Sequence, residues 1–459
     1  MPKKRTAFAA NCFYLLKVVT LLLIALLIFV SFGSFASGNF IPTEPISYLY
    51  IRSDGRVDPQ TPLISVSNNV YTFTGPFTNT TIVVERDGII VDGVGYSMTG
   101  HSLNYGQAVD ISNRTNITIK NLFVNQFGIG VLMQNAQNNI LTANKMSTFS
   151  AFMLDNADNN YIANNNSTQG YGIYGSGSNN QILNNSFSGG LSGGGNGMGI
   201  LLTGSHNTIS NNTVIHGVGI ELYCQDSTIA YNTVLNGYSG LLLLRAQNNL
   251  VYGNIIRNIT TDSAQIKAQA LYISDSSTNN TIFENTFEKN ADAVALGAQV
   301  VDFVWNNVSN NYFYRNSFLN NVQNVWIAPG APVNYWDNGQ QGNFWSDFPG
   351  VDSNHDGISE TPYIINANNT DHHPLMAPYD PTATYLPSSP TPSPTNQGPN
   401  ITQSPQSTLT PSPSSSSTNA KIDETQGNQV PELPAITALL VIPTIAAATG
   451  IAWRRKNKR

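Results

Sequence analysis

The stretch NNILTANKMSTFSAFMLDNADNNYIANNNS, residues 138–167, decides the fold. Within it a polar pair, an aliphatic residue, two variable positions and an asparagine recur, closing on Asn144 and Asn165 with Leu141 and Ile162 three residues earlier. Working outward, the unit closes on Asn121, Asn144, Asn165, Asn185, Asn212, Asn232, Asn254, Asn285 and Asn316, at spacings of 23, 21, 20, 27, 20, 22, 31 and 31 residues. Three residues before the last eight stand Leu141, Ile162, Ile182, Ile209, Ile229, Val251, Ile282 and Phe313. Two residues after come Phe123, Met146, Phe187, Val214, Val234, Ile256, Phe287 and Phe318, with Ser167 the exception. A second alternation follows in each period: Val131/Met133, Phe152/Leu154, Ile200/Leu202, Ile220/Leu222, Leu241/Leu243 and Leu271/Ile273.

Short apolar-x-apolar strands, parted by Asn/Gly/Ser turns and repeating on this period, describe the coils of a parallel β-helix whose equivalent residues stack about 4.8 Å apart. The inward rows make one apolar core. The asparagines stack into a ladder, amide to amide, which satisfies polar groups that are costly to bury unpaired. A leucine-rich repeat has a similar period but needs leucines at fixed offsets and a helical or extended return. Here the returns are Gly, Asn and Ser, and the core positions are Ile, Val, Phe and Met.

Composition agrees. The 459 residues include 58 asparagines and 37 glycines, which favour turns over helices. Charged residues make up 10 % of the chain and the net charge is −6, against about 25 % charged in ordinary soluble domains, which excludes a nucleic-acid binder. The two cysteines, Cys12 and Cys224, make neither an internal disulfide in an exported chain nor a zinc cluster.

Lys3, Lys4 and Arg5 precede an uncharged stretch from Val18 to Val30 and the small residues Ser34, Ala36, Ser37 and Gly38, so residues 1–38 read as a signal peptide or N-terminal anchor. Residues 39–100 are expected to form an N-terminal cap and the first coils, 101–330 the β-helix repeats, and 331–380 a C-terminal cap. From 381 to 420, 27 of 40 positions are Pro, Ser or Thr, which marks 381–433 as a stalk. At about 3.1 Å per residue such a stalk reaches roughly 150 Å. The apolar residues 434–453 are long enough for a transmembrane helix, and the basic residues 454–459 place its tail in the cytoplasm.

The coils, together with Tyr50-Ile51-Arg52-Ser53-Asp54-Gly55, Ile89-Ile90-Val91-Asp92-Gly93, Asn343-Phe344-Trp345-Ser346-Asp347 and Thr361-Pro362-Tyr363-Ile364-Ile365, resemble archaeal surface proteins of the NosD-type, pectin-lyase-like right-handed β-helix superfamily. The resemblance runs from about residue 45 to 377. Val430-Pro431-Glu432-Leu433-Pro434 resembles the PEF-CTERM sorting signal of archaeal surface proteins, with Leu433 where that signal has Phe, and implies processing by an archaeosortase-like enzyme. The expected architecture is therefore all-β: a right-handed, single-stranded parallel β-helix of about 10–12 coils with an Asn ladder, flanked by terminal hydrophobic segments.

That fold hosts lyases, hydrolases, isomerases and pure binders, so function has to be read from the outward side chains. Between the inward positions stand Asp110, Leu132, Met153, Tyr174, Leu201, Glu221, Leu242, Tyr272 and Ala295, followed outward by Ser112, Gln134, Asp155, Ser176, Thr203, Tyr223, Leu244, Ser274 and Gly297. Asp110, Asp155 and Glu221 fall two and three coils apart, roughly 10 and 14 Å, with no basic residue in either row. No catalytic dyad emerges. The rows offer instead an apolar stripe with Tyr174, Tyr223 and Tyr272, suited to stacking on sugar rings or to a partner surface.

Asp352, Asn354, Asp356, the Ile358 carbonyl and Glu360 match the opening of a calcium loop, with Gly357 at the turn and Tyr363 where a bidentate Glu would close it. Glu360, Asp347 or Asp371 would complete the shell, and Ca2+ would pin the cap. The NosD resemblance also implies a copper association, yet copper prefers Cys, Met and His, and here the six histidines are scattered apart from His372-His373 while Cys224 stands alone. Twelve Asn-x-Ser/Thr sequons include Asn79, Asn113, Asn116, Asn258, Asn307 and Asn400, candidate N-glycan sites in an exported chain.

The sequence thus describes a membrane-tethered cell-surface module, held by its C-terminal helix, that is expected to be non-catalytic and to bind extracellular or cell-surface polysaccharide or form part of the envelope. A polysaccharide lyase or glycoside hydrolase with its site in the insertions near 188–197, 258–269 or 298–310, and a structural or adhesive surface protein, are the alternatives. Nothing in the sequence fixes the oligomeric state.

Overall fold

The structure is a computed structural model that describes residues 45–188, 197–260, 268–297, 308–330 and 332–380. Each coil lays down three short strands separated by corners. Thr208–Ser210, Thr213–Ile215 and Val218–Gln225 make one coil, and Thr228–Ala230 begins the next directly beside Thr208–Ser210. Stacking the coils yields a 13-stranded front sheet and two 12-stranded sheets, called second and third below, in which all pairings past the N-terminal cap and up to the C-terminal hairpin are parallel. Parallel crossovers wind right-handed, so the molecule is a right-handed parallel β-helix. Among the described residues no helix is long and apolar enough to cross a membrane. The segments 1–38, 381–433, 434–453 and 454–459 lie outside the described residues.

Antiparallel pairs mark the two ends. Tyr50 pairs with Asp58, and Ile64–Ser67 folds back on Val70–Phe73, before the first coils begin. At the other end Tyr363–Asn366 and Asn369–Asp371 form a hairpin over the last rung, Phe344–Trp345. Its Tyr363 ring stacks on Trp345 at 4.1 Å, Trp345 on Phe318 at 4.2 Å and Phe318 on Phe287 at 5.2 Å, so large rings plug the open end of the core.

The abundance of asparagine has two separate causes. One is conformational: from Ile90–Asp92 onward each turn between the second and third sheets passes through a left-handed residue, such as Asn164, Asn184 and Asn211 (φ 58°, 55° and 56°), and asparagine accepts that region more readily than most other side chains. The other is hydrogen bonding. The residue after each of these enters a ladder of side-chain amides, Asn144, Asn165, Asn185, Asn212, Asn232, Asn254, Asn285, Asn316 and Asn343. Asn232 is typical: its Nδ2 donates to Asn254 Oδ1 (3.0 Å) and Ile209 O (2.8 Å), while its Oδ1 accepts from the Asn212 backbone N–H (3.0 Å) and Nδ2 (3.0 Å). The ladder ends on Asp371, whose Oδ2 accepts from the Asn343 N–H (2.7 Å), Asn343 Nδ2 (3.3 Å) and Trp345 Nε1 (2.9 Å).

The expected rung at Asn121 is displaced by one residue. In that coil the ladder slot is Leu122, whose backbone N–H donates to Asn144 Oδ1, and Asn121 occupies the left-handed position with its amide on Asp92. The inward residue is consequently Val124, fully buried, whereas Phe123 is 42 % exposed. The other expected core positions are buried, from Leu141 and Ile162 through Phe313 and Phe318.

A second ladder, which the sequence reading did not separate out, runs along the corner between the front and second sheets. It comprises Asn139, Asn160, Asn180, Asn207, Asn249, Asn280, Asn311 and Asn334, with Ser227 filling one rung. Its signal was the second member of each polar pair.

Candidate functional site

The front sheet carries the surface on which the expected contact side chains collect, because its strands are the longest and its outward rows are in register. Asp110, Leu132, Met153, Tyr174, Leu201, Glu221, Leu242, Tyr272, Ala295 and Trp326 are consecutive cross-strand neighbours in one row. Ser176, Thr203 and Tyr223 belong to the next outward row, as expected. The middle of the stripe is half-buried, with Tyr174, Leu201, Glu221, Tyr223, Leu242 and Tyr272 all partly accessible.

Glu221 sits at the centre, two coils from Tyr174 on one side and two from Tyr272 on the other. The Tyr223 hydroxyl donates to Glu221 Oε1 at 3.1 Å. Burial against this apolar face pushes the Glu221 carboxyl above its ordinary range, and the bond from Tyr223 only partly offsets that. Burial, with the Glu221 charge second, raises the Tyr223 hydroxyl, and burial also raises Tyr272. Tyr171 and Phe149, which the sequence reading passed over, extend the tyrosine cluster: Phe149 lies 5.4 Å from Tyr171, and Tyr171 lies edge-on 5.2 Å from Tyr174.

Asp110 and Asp155 stand two strands apart in the sheet, and Asp155 and Glu221 three, so the three carboxyls do not converge. Among the described residues no three His, Cys, Asp or Glu side chains gather as a metal group. The arrangement suits adsorption of a flat, hydroxylated ligand: rings for its apolar faces, with Glu221 and the tyrosine hydroxyls for its polar edge.

A second aromatic column, also unforeseen, lies on the second sheet. Tyr252 stacks on Phe283 at 4.9 Å and Phe283 on Tyr314 at 5.4 Å, with Arg315 over the Tyr314 ring.

In the C-terminal cap, residues 352–360 form a tight loop closed by its own acids. Asp352 accepts the Asp356 and Gly357 N–H groups, each at 3.1 Å, Asn354 Oδ1 accepts the Asp356 N–H at 3.0 Å, and Asp356 Oδ1 accepts that of Ile358 at 2.9 Å. Glu360 accepts the Ser353 and Asn354 N–H groups, and the Ser353 bond is the chief reason its carboxyl is held below the usual range. Of the three residues expected to complete a calcium shell, only Glu360 reaches the loop. Asp347 accepts from Asn324 and Tyr363, and Asp371 is spent on the ladder.

Asn113, Asn116 and Asn258 are exposed corner residues with positive φ, whereas Asn79 is 8 % exposed. Asn307 and Asn400 lie outside the described residues.

With this geometry in view, comparison with known proteins places the coils. The family model "Periplasmic copper-binding protein (NosD)" matches residues 191–309 and 257–350. Over those coils the chain is NosD-like. A probable ABC transporter binding protein NosD of Stutzerimonas stutzeri is 30 % identical over 137 residues, which span 28 % of this chain and 29 % of that protein. Among solved structures, the periplasmic alginate epimerase AlgG aligns with a TM-score of 0.36 at 14 % identity, over 63 % of this chain and 82 % of its own. A GH87 α-1,3-glucanase catalytic domain in complex with tetrasaccharides aligns at 0.41 and 12 % identity, over 60 % of this chain and 63 % of its own.

Among the described residues, the NosD-like coils bring no three His, Cys, Asp or Glu side chains together for the copper in that family's description. Cys224 is buried, its Sγ–H donates to Asn249 Oδ1 at 3.3 Å, and burial pushes the thiol up to about 12, which disfavours the thiolate a soft metal needs. His372 and His373 belong to the cap: their backbone N–H groups donate to Asp337 and Asp371 respectively, and the His373 ring lies 3.4 Å from Asp337. Among the described residues, the cysteine and histidines form no cluster that fits copper.

Proposed function

We propose that this chain is an exported, membrane-tethered β-helix module that binds polysaccharide on its front sheet and does not cleave it. The observation that carries the reading is the half-buried stripe of Tyr174, Glu221, Tyr223 and Tyr272 among leucines, a rigid ringed surface with one carboxyl rather than a converging pair. The similarity to a periplasmic family supports placement outside the cytoplasm. On this reading residues 434–453 are the membrane anchor, 381–433 hold the module away from it, and Ca2+ bound by Asp352, Asn354, Asp356, the Ile358 carbonyl and Glu360 stiffens the cap.

The test is retention of the full chain, in detergent with calcium, on a panel of polysaccharides, together with an assay for newly formed chain ends. Retention without new ends, lost at least fivefold in Tyr174→Ala and Tyr272→Ala, is the expected outcome. New ends would replace this reading with a lyase or hydrolase.

A further inference from the structure

The distribution of charge narrows what the front sheet accepts. From Gln107 onward its outward rows carry Asp110, Asp155 and Glu221 and, among the described residues, neither lysine nor arginine; Arg52, at the N-terminal end of the sheet, is held by Asp58 and Glu85. The basic side chains sit on the other sheets and at corners, and several are engaged by acids there. Lys120 lies 3.3 Å from Asp92, Arg257 lies 2.7 Å from Glu288, and Arg315 lies 3.4 Å from Glu284. Arg245 stands in the corner after Leu244, and its field reaches the stripe at Tyr223.

A polyanion laid along this face would meet three carboxylates of its own sign, one of them in a poorly hydrated setting where like charges interact more strongly than in water. It would find no bidentate arginine or lysine to compensate. An uncharged chain meets no such barrier: its C–H faces lie on Tyr174 and Tyr272, and its hydroxyls reach Glu221 and Tyr223 as donors and acceptors. The tyrosines flank Glu221 symmetrically, two coils to either side, which suits an oligosaccharide run along the helix axis rather than a single sugar.

We infer, resting on the binding reading above, that the front sheet selects uncharged polysaccharides and rejects polyuronates. The experiment is affinity electrophoresis of the full chain in gels carrying a neutral glucan, mannan or galactan, or polygalacturonate, at low and high salt. At least one neutral polymer is expected to retard the protein equally at both salt levels, with polygalacturonate at least tenfold weaker at low salt and gaining as salt screens the repulsion. Glu221→Lys and the more exposed Asp155→Lys are each expected to strengthen polygalacturonate retention at least tenfold, which locates the selection on this face. Polygalacturonate retained as well as the best neutral polymer would overturn the inference while leaving polysaccharide binding intact. Retardation by none of the polymers would overturn both.

Discussion

At Asn232 the side chain makes four hydrogen bonds and has none to spare. Replacing it with alanine strands the donors of Asn212 and removes the amide from Ile209 O, at about 1–3 kcal/mol for each group left unsatisfied, while Asn254 Oδ1 keeps the Asn232 backbone N–H. Asn232→Asp is expected to be worse at neutral pH, because it sets a buried carboxylate oxygen against two acceptor oxygens. Acidification should narrow that gap, since a protonated carboxyl donates again. Urea denaturation of both variants at pH 7 and pH 5 checks the order and its pH dependence. Asp371 works in the opposite sense. Burial raises its carboxyl to about 7 despite the donors from Asn343, Trp345 and His373. The unfolded chain releases that proton near 3.8 while the folded cap holds it, so stability should fall as pH rises between those values. Asp371→Asn should flatten the dependence and lower stability throughout, because its amide would turn a donor toward the Asn343 or His373 N–H. Thermal melts from pH 4 to pH 8 measure both effects.

Among the elements, the 352–360 loop already closes its turn through backbone N–H groups that its acids accept, so the proposed calcium ion would add stability only through the oxygens left over. Calcium is expected to raise the melting temperature of the full chain and EDTA to reverse the rise, with Glu360→Gln blunting the response. An EDTA-insensitive melt would remove calcium from the description. The coils show how far the sequence itself was readable. The first ladder and its flanking core rows were legible because one amide per coil recurs on a period the strands also obey. The second ladder was hidden because its rungs adjoin left-handed asparagines such as Asn138 and Asn159, so neighbouring residues of one type do unlike work. Asn121 misled for the same reason: a left-handed asparagine stands next to Leu122, which fills the rung. The front-sheet rows followed from strict alternation, whereas the burial of Glu221 and the packing of Phe149 and Tyr171 depend on neighbours from other coils and left no local mark.

For the whole molecule, the proposed function depends on length and on anchoring. Stability accrues along the stack, each coil burying its apolar rows against the next, while the surfaces between Gln107 and Gln323 stay in register for a long ligand. If residues 434–453 hold the module to a membrane, the full chain should sediment with membranes, and a chain ending at residue 433 should appear in the soluble exported fraction with its polysaccharide retention unchanged. Fractionation with antibody detection distinguishes the two. The Asn144–Asn343 ladder adds a rule of growth. All its amide-to-amide bonds run toward the C-terminal end, and the last donor meets Asp371 Oδ2, an acceptor with no amide of its own to pass on. The row is therefore a sentence with a fixed grammar: a complete coil interpolated anywhere inside it creates no new polar end, while a coil appended beyond Asp371 would have to displace the full stop. Relatives of different length should differ by whole coils in the interior and keep an acceptor-only residue at this terminus.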